Sequence, residues 1–153
     1  MKKRCVAVGI LVFALACFCT GLGENAGQTE RGSMEEPAGM NMIIGDTRVE
    51  VVWENNASVE ALRELAAGGL SIPMAMYGGF EQVGSIGREL PTQDVPVTTS
   101  PGDIVLYAGD QIVLFYGTNS WSYTRLGRIT DKTPEEMREL LSHGGVTIRL
   151  EAE

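Results

Sequence analysis

The chain has 153 residues, 44% hydrophobic and 21% charged, with a formal net charge of -8. That is the size of one globular domain with something extra at an end, and the acidity works against nucleic acid or anionic lipid as a partner. There is no acidic block, basic stripe, nucleophile elbow, telling carboxylate pair or metal-ligand cluster, so no cofactor and no metal is expected.

The extra piece is N-terminal. Lys2, Lys3 and Arg4 make a basic start, Val6 to Phe18 is an uncharged apolar run, and Thr20, Gly21 and Gly23 are small. This is the plan of a secretory signal peptide over residues 1–21, and the run is short for a membrane span. An uncleaved membrane anchor is the alternative. All three cysteines lie here, so a mature domain would lack both disulfides and thiolate metal ligands. Phe13-Ala14-Leu15-Ala16-Cys17 resembles a bacterial lipobox, with Leu15 and Ala14 departing from the usual order. Export across the cytoplasmic membrane is expected, as a form lipid-anchored through Cys17 or as a freely secreted one. Membrane contact would come only through that lipid. Residues 22–41 are rich in Gly, Glu, Asn and other small or polar types that bury too little surface to order themselves, and read as a flexible tether.

The folded domain spans residues 42–153. Asn41 to Ile44 and Thr47 to Trp53 read as strands meeting at Gly45-Asp46. Asn55, Asn56 and Ser58 are N-cap formers ahead of a short helix with Val59, Leu62, Leu65 and Ala66 on one stripe, stopping at Gly68-Gly69. Leu70 to Leu90 mixes apolar residues with Gly78, Gly79, Gly84 and Gly87, a pattern of bent or bulged strands. A phosphate loop there would need a helix N-terminus after it, and Arg88-Glu89-Leu90-Pro91 supplies none. Pro91 to Gly102 reads as a loop.

The most legible stretch follows. Ile104 and Leu106 alternate with Val105 and Tyr107, and after Ala108-Gly109-Asp110 the alternation resumes as Ile112, Leu114 and Tyr116 against Val113 and Phe115. Both faces of this hairpin are apolar and need cover, which suits a closed or nearly closed barrel. A third run carries Trp121, Tyr123, Leu126 and Ile129. Thr133-Pro134-Glu135-Glu136 is a helix start with a capping box, Met137, Leu140 and Leu141 its buried stripe, and Gly144-Gly145 its stop. The one histidine, His143, sits in the last turn, where it would stabilise the helix end. Val146 to Leu150 is a final strand. The layout predicts a mainly β fold, a closed antiparallel barrel capped by two short helices.

From about Met42 to Glu151 the chain resembles the small bacterial cyclophilin-like domain proteins, through YGGFEQVGSIG, PGDIVLY, QIVLFYG and SYTRLGRI in this order. The resemblance implies a cyclophilin-like barrel. The larger cyclophilins are peptidyl-prolyl isomerases with a catalytic arginine a few residues before a Phe-Met-x-Gln segment. Here Phe80 matches the apolar floor, Glu81 replaces the methionine, Gln82 is displaced by one place, and the arginine position falls near Ala75. An alanine cannot hydrogen-bond a twisted prolyl amide. Two readings follow. In the first, Tyr77, Phe80, Trp121 and Tyr123 line a groove on the barrel face for an extended peptide or small ligand, with Gln82, Arg88 and Arg125 as polar candidates. In the second the domain is a weak or divergent prolyl isomerase, with Arg88 or Arg125 replacing the missing guanidinium. The same aromatics would also serve as barrel core, and their exposure separates a groove from a core.

Overall fold

The structure, a computed structural model, describes residues 39–153. The signal-peptide reading, the Cys17 lipidation candidate and the tether up to residue 38 lie outside the described residues. The first half of the domain runs β1 (Met40–Ile44), β2 (Thr47–Val49), β3 (Val51–Trp53), α1 (Ala57–Ala66), β4 (Leu70–Pro73), β5 (Ala75–Tyr77) and β6 (Glu81–Ser85). The second half runs β7 (Val95–Thr98), β8 (Asp103–Tyr107), β9 (Gln111–Phe115), β10 (Ser120–Ile129), α2 (Pro134–Leu141) and β11 (Thr147–Ala152). The strand read from Asn41 to Ile44 begins one residue earlier, with Met40 and Asn41 pairing with Ala152 and Glu151.

The strands form a four-stranded sheet in the order β2-β1-β11-β4 and a seven-stranded sheet in which β3-β10-β8-β9-β6-β5 are neighbours and β7 pairs with β10. Every pairing is antiparallel. The expectation of a closed barrel is corrected, because both sheets are open. β2 bends into β3 at Glu50 and β4 bends into β5 at Met74, so each edge of the small sheet continues as an edge of the large one. At the first bend Glu50 N leaves the ladder and donates to Asp131 Oδ1 (3.0 Å), and at the second Met74 N makes the last β4–β11 ladder bond, to Val146 O (2.7 Å), before the chain changes partner. Strands that switch sheets at corners are the hallmark of orthogonally packed sheets, whereas a barrel must keep its ladder paired around the whole circumference.

The main core fills the space bounded by the sheets and helices. Ile104, Leu106, Ile112 and Leu114 from the central hairpin meet Met42, Ile44, Ile148 and Leu150 of the small sheet. α1 begins where Asn56 Oδ1 accepts from Val59 N (2.9 Å), and buries Val59, Leu62 and Ala66. α2 carries the full capping box between Thr133 and Glu136 and buries Met137 and Leu141. His143 lies beyond its last residue and is exposed.

One loop of the sequence reading is a strand. Within Pro91 to Gly102, Val95 to Thr98 pair with Tyr123 to Ser120. Pro96 is compatible with this because β7 is an edge strand with only β10 beside it, where a missing N–H costs no ladder bond. Its start is fixed by Thr124, whose Oγ1 donates to Asp94 Oδ1 (2.6 Å) and accepts from Gln93 N (2.8 Å).

The β8–β9 turn holds Ala108 at φ 51, the one non-glycine residue with positive φ among the described residues. A Cβ in that left-handed region costs on the order of 1 kcal/mol. Ala108→Gly is therefore expected to stabilise the domain by up to about 1 kcal/mol after the added unfolded-state entropy is counted. A urea titration reads this, and a loss of stability would contradict it.

Candidate functional site

The central hairpin turns its second face away from the main core. Val105, Val113 and Phe115 pack there with Val97 and Tyr123, and Phe80 and Val83 lie against them. Register explains the grouping. Val83 opposes Val113, Val113 opposes Val105, and Glu81 opposes Phe115, and residues directly opposed on antiparallel strands share a face.

Phe80 is fixed to this face by its backbone. Its carbonyl accepts from both Tyr116 N and Gly117 N at 2.9 Å, and its ring lies parallel to Phe115, 6.5 Å between centroids and 4° between planes. Gly117 permits the approach: a methyl there would stand 2.7 Å from Phe80 Cβ. Opposite Phe80, Asn119 and the start of β10, backed by its partner β7, form the other wall. Thr98 and Ser120 hydroxyls meet at 2.9 Å across this pair. Asn119 is clamped to Thr99 through its backbone N and O, and its Nδ2 donates to Tyr123 Oη (2.8 Å). Tyr123 in turn meets Phe115 edge-on at 5.7 Å and Tyr107 at 6.1 Å.

Between the walls runs a groove of about 470 Å³, within the size range of ligand sites. Tyr77, Phe80, Tyr107, Trp121 and Tyr123 supply its aromatic surface, Val83 and Val113 its aliphatic floor, and Glu81, Gln111 and Asn119 its polar groups. Trp121 is 61% exposed and Tyr77 68%, whereas Tyr123 is buried.

Glu81 is the unusual member. It is 7% exposed, and its Oε2 is buried without a hydrogen-bond partner. Burial raises its pKa above the ordinary 4.5, because leaving water penalises the charged form. The Tyr123 phenol is also pushed up, chiefly by burial, with the hydrogen bond from Asn119 working against the shift and the nearby Glu81 and Tyr107 adding to it.

Tyr77, Phe80, Trp121 and Tyr123, the aromatics named from the sequence, are brought together here, while the three polar candidates are not. Gln82 is fully buried on the opposite face, where its Nε2 donates to Leu141 O (2.6 Å) and Gly144 O (2.7 Å) and ties β6 to the end of α2. The pleat requires this, since neighbours along a strand point to opposite faces. Arg88 is exposed on the loop that passes the β8–β9 turn, where Ile86 N and Leu90 N donate to Asp110 O and Gly109 O. Arg125 is exposed opposite Val105, outside the groove lining. Ala75 opposes Val83 at the sheet edge. Among the described residues no group of three or more His, Cys, Asp or Glu side chains is arranged to hold a metal.

Glu81, Tyr107, Gln111 and Asn119 also line the groove and lie outside the candidates named from the sequence. Glu81 had a signal: it is the only charged residue between Glu64 and Arg88, it alternates with Val83, and its strand neighbour Gln82 takes the core face. Asn119 had none, because its position depends on the β7–β10 pairing.

The sequence profile of the cyclophilin-like family matches residues 42–151, and the chain belongs to that family. The solution structure of a hypothetical protein from Archaeoglobus fulgidus is similar, with a TM-score of 0.51 and 18% identity, over 74% of this chain and 93% of that one. At that identity the likeness concerns the fold alone. No curated protein sequence matches this chain.

Because the folded-state pKa of Glu81 is raised, its contribution is fully present below the ordinary value of 4.5 and is lost as pH climbs through the folded value. Glu81→Gln is therefore expected to match the wild type in stability at low pH and to exceed it increasingly as pH rises to neutrality. Urea midpoints across pH read this, and a pH-independent difference would contradict it. Gly117→Ala is expected to cost about 1–3 kcal/mol by forcing Phe80 aside, with weakened nuclear Overhauser effects between the Phe80 and Phe115 rings. An unchanged ring contact would contradict the close-approach account.

Proposed function

We propose that the domain is a noncatalytic binding module whose groove accepts an extended peptide segment or a small ligand. The observation that carries this reading is that Phe80 and Trp121 line one connected, open groove, with Trp121 61% exposed. An aromatic that were simply core would be covered. Next to the groove, β5 is an edge strand whose Ala75, Met76 and Tyr77 are all exposed. An unpaired edge beside aromatic pockets suits a ligand in extended conformation.

The isomerase alternative needs a guanidinium at the groove floor. Among the described residues no arginine lines it. Ala75, Val83, Val113, Val105 and Arg125 form one cross-strand row, so Arg125 stands roughly 19 Å along the sheet from Ala75 at about 4.8 Å per strand. That separation exceeds the reach of an arginine side chain and supports the noncatalytic reading. Among the described residues the groove also has none of the lysines and arginines that phosphate recognition would use, consistent with a partner other than nucleic acid.

We also propose that the domain is exported and held near, or released from, the membrane. The sequence of residues 1–21 supports this, and Cys17 is the lipid attachment candidate. Fatty-acid labelling lost in Cys17→Ser would support the anchored form, and unlabelled wild type the secreted one.

Two measurements test the binding module. In a protease-coupled proline-isomerisation assay the purified domain, Arg88→Ala and Arg125→Ala are all expected to run at the uncatalysed rate, and acceleration abolished by either substitution would revive the enzyme. In a fluorescence screen against short peptides, binding is expected to change Trp121 emission, with Phe80→Ala, read by fluorescence, or Trp121→Ala, read by calorimetry, weakening affinity by about tenfold or more. Binding unaffected by both substitutions would move the site elsewhere.

A further inference from the structure

Resting on that groove reading, we propose that Glu81 selects the ligand's chemistry: the groove recognises an organic cation with N–H donors, such as an arginine side chain, seated against Glu81 between the faces of Phe80 and Trp121. A buried polar atom without a partner is rare and unfavourable in folded proteins, and Glu81 Oε2 is such an atom. Oε2 itself is closed to solvent in the free domain, but its residue lines an open groove, so a rotation of the Glu81 side chain would bring the carboxylate to a ligand that supplies what the protein withholds.

The surroundings choose the sign of that ligand. Among the described residues Glu81 is the only carboxylate lining the groove, and no lysine, arginine or histidine lines it. The titratable neighbours facing it are the phenols of Tyr77 on β5, Tyr107 on β8 and Tyr123 on β10. Aromatic faces carry negative quadrupole density that attracts cations. A ligand carboxylate or phosphate would meet those faces and the Glu81 oxygens together, with no positive group to offset either. The acidic chain, at a formal charge of -8, draws cations from a distance as well. A guanidinium fits this site best: its planar fork can donate to both carboxylate oxygens while its face stacks on a ring. Asn119 leaves a further contact, because its Nδ2 occupies an acceptor site of Tyr123 Oη and the phenol proton stays available for a ligand oxygen.

The test compares two probes on the purified full chain by calorimetry and Trp121 fluorescence: N-acetyl-arginine methylamide and its neutral isostere N-acetyl-citrulline methylamide. The arginine probe is expected to bind at least about tenfold more tightly, a gap of the size a charge-assisted pair supplies. Glu81→Gln should bring the two affinities within about twofold by weakening the arginine probe alone, while Glu81→Asp, with a shorter carboxylate, should keep a reduced preference for arginine. A lysine counterpart binding like the arginine probe would show that charge outweighs planar geometry, which also supports an organic cation. Equal binding of arginine and citrulline probes would overturn the inference and leave the groove reading standing. If neither probe, nor any peptide in the fluorescence screen, disturbs Trp121, both fail.

Discussion

The constraint on which the rest of the domain depends is that the β8–β9 hairpin is apolar on both sides. Ile104, Leu106, Ile112 and Leu114 are sealed in the main core, and Val105, Val113 and Phe115 are no more than 1% exposed on the other face. Leaving that second face bare would forfeit on the order of 5 kcal/mol or more, comparable with the whole stability of a small domain. The chain therefore has to supply a second cover. It does so with the start of β10, its partner β7 and the Phe80 turn, and the groove is the gap between those two partial covers.

Much of this was written locally. The alternation in β8 and β9, the Asn56 cap, the Thr133–Glu136 capping box and the two-sided demand for cover are short-range patterns, and each corresponds to an element in the structure. What was not legible depends on distant pairings. β7 reads as a loop because Pro96 and its Thr and Ser neighbours have loop composition, and only the partner β10 makes it a strand. The corners at Glu50 and Met74, which leave two open sheets in place of a closed barrel, are changes of partner along a continuous extended chain, with apolar alternation running on from Val49 to Val51 at the first and an apolar run from Ile72 to Tyr77 at the second.

A single pleat sends the adjoining residues Glu81 and Gln82 to opposite faces. Gln82 faces inward, its Nε2 held by the carbonyls ending α2 and its Oε1 unpaired in the core, while Glu81 lines the groove with its Oε2 unpaired. Membership of the cyclophilin-like family describes the scaffold. The chemistry of the groove comes from this chain's own aromatic walls and lone carboxylate, with alanine at the edge position where the larger isomerases of this resemblance carry arginine.

The most direct test of the central claim, a carboxylate held unpaired in an aromatic groove, is a carbon-13 nuclear magnetic resonance titration of the Glu81 side-chain carboxyl in the free domain. A midpoint clearly above the ordinary 4.5 is expected. A midpoint at or below 4.5 would mean that Glu81 is solvated or already paired, and would contradict the account of the site.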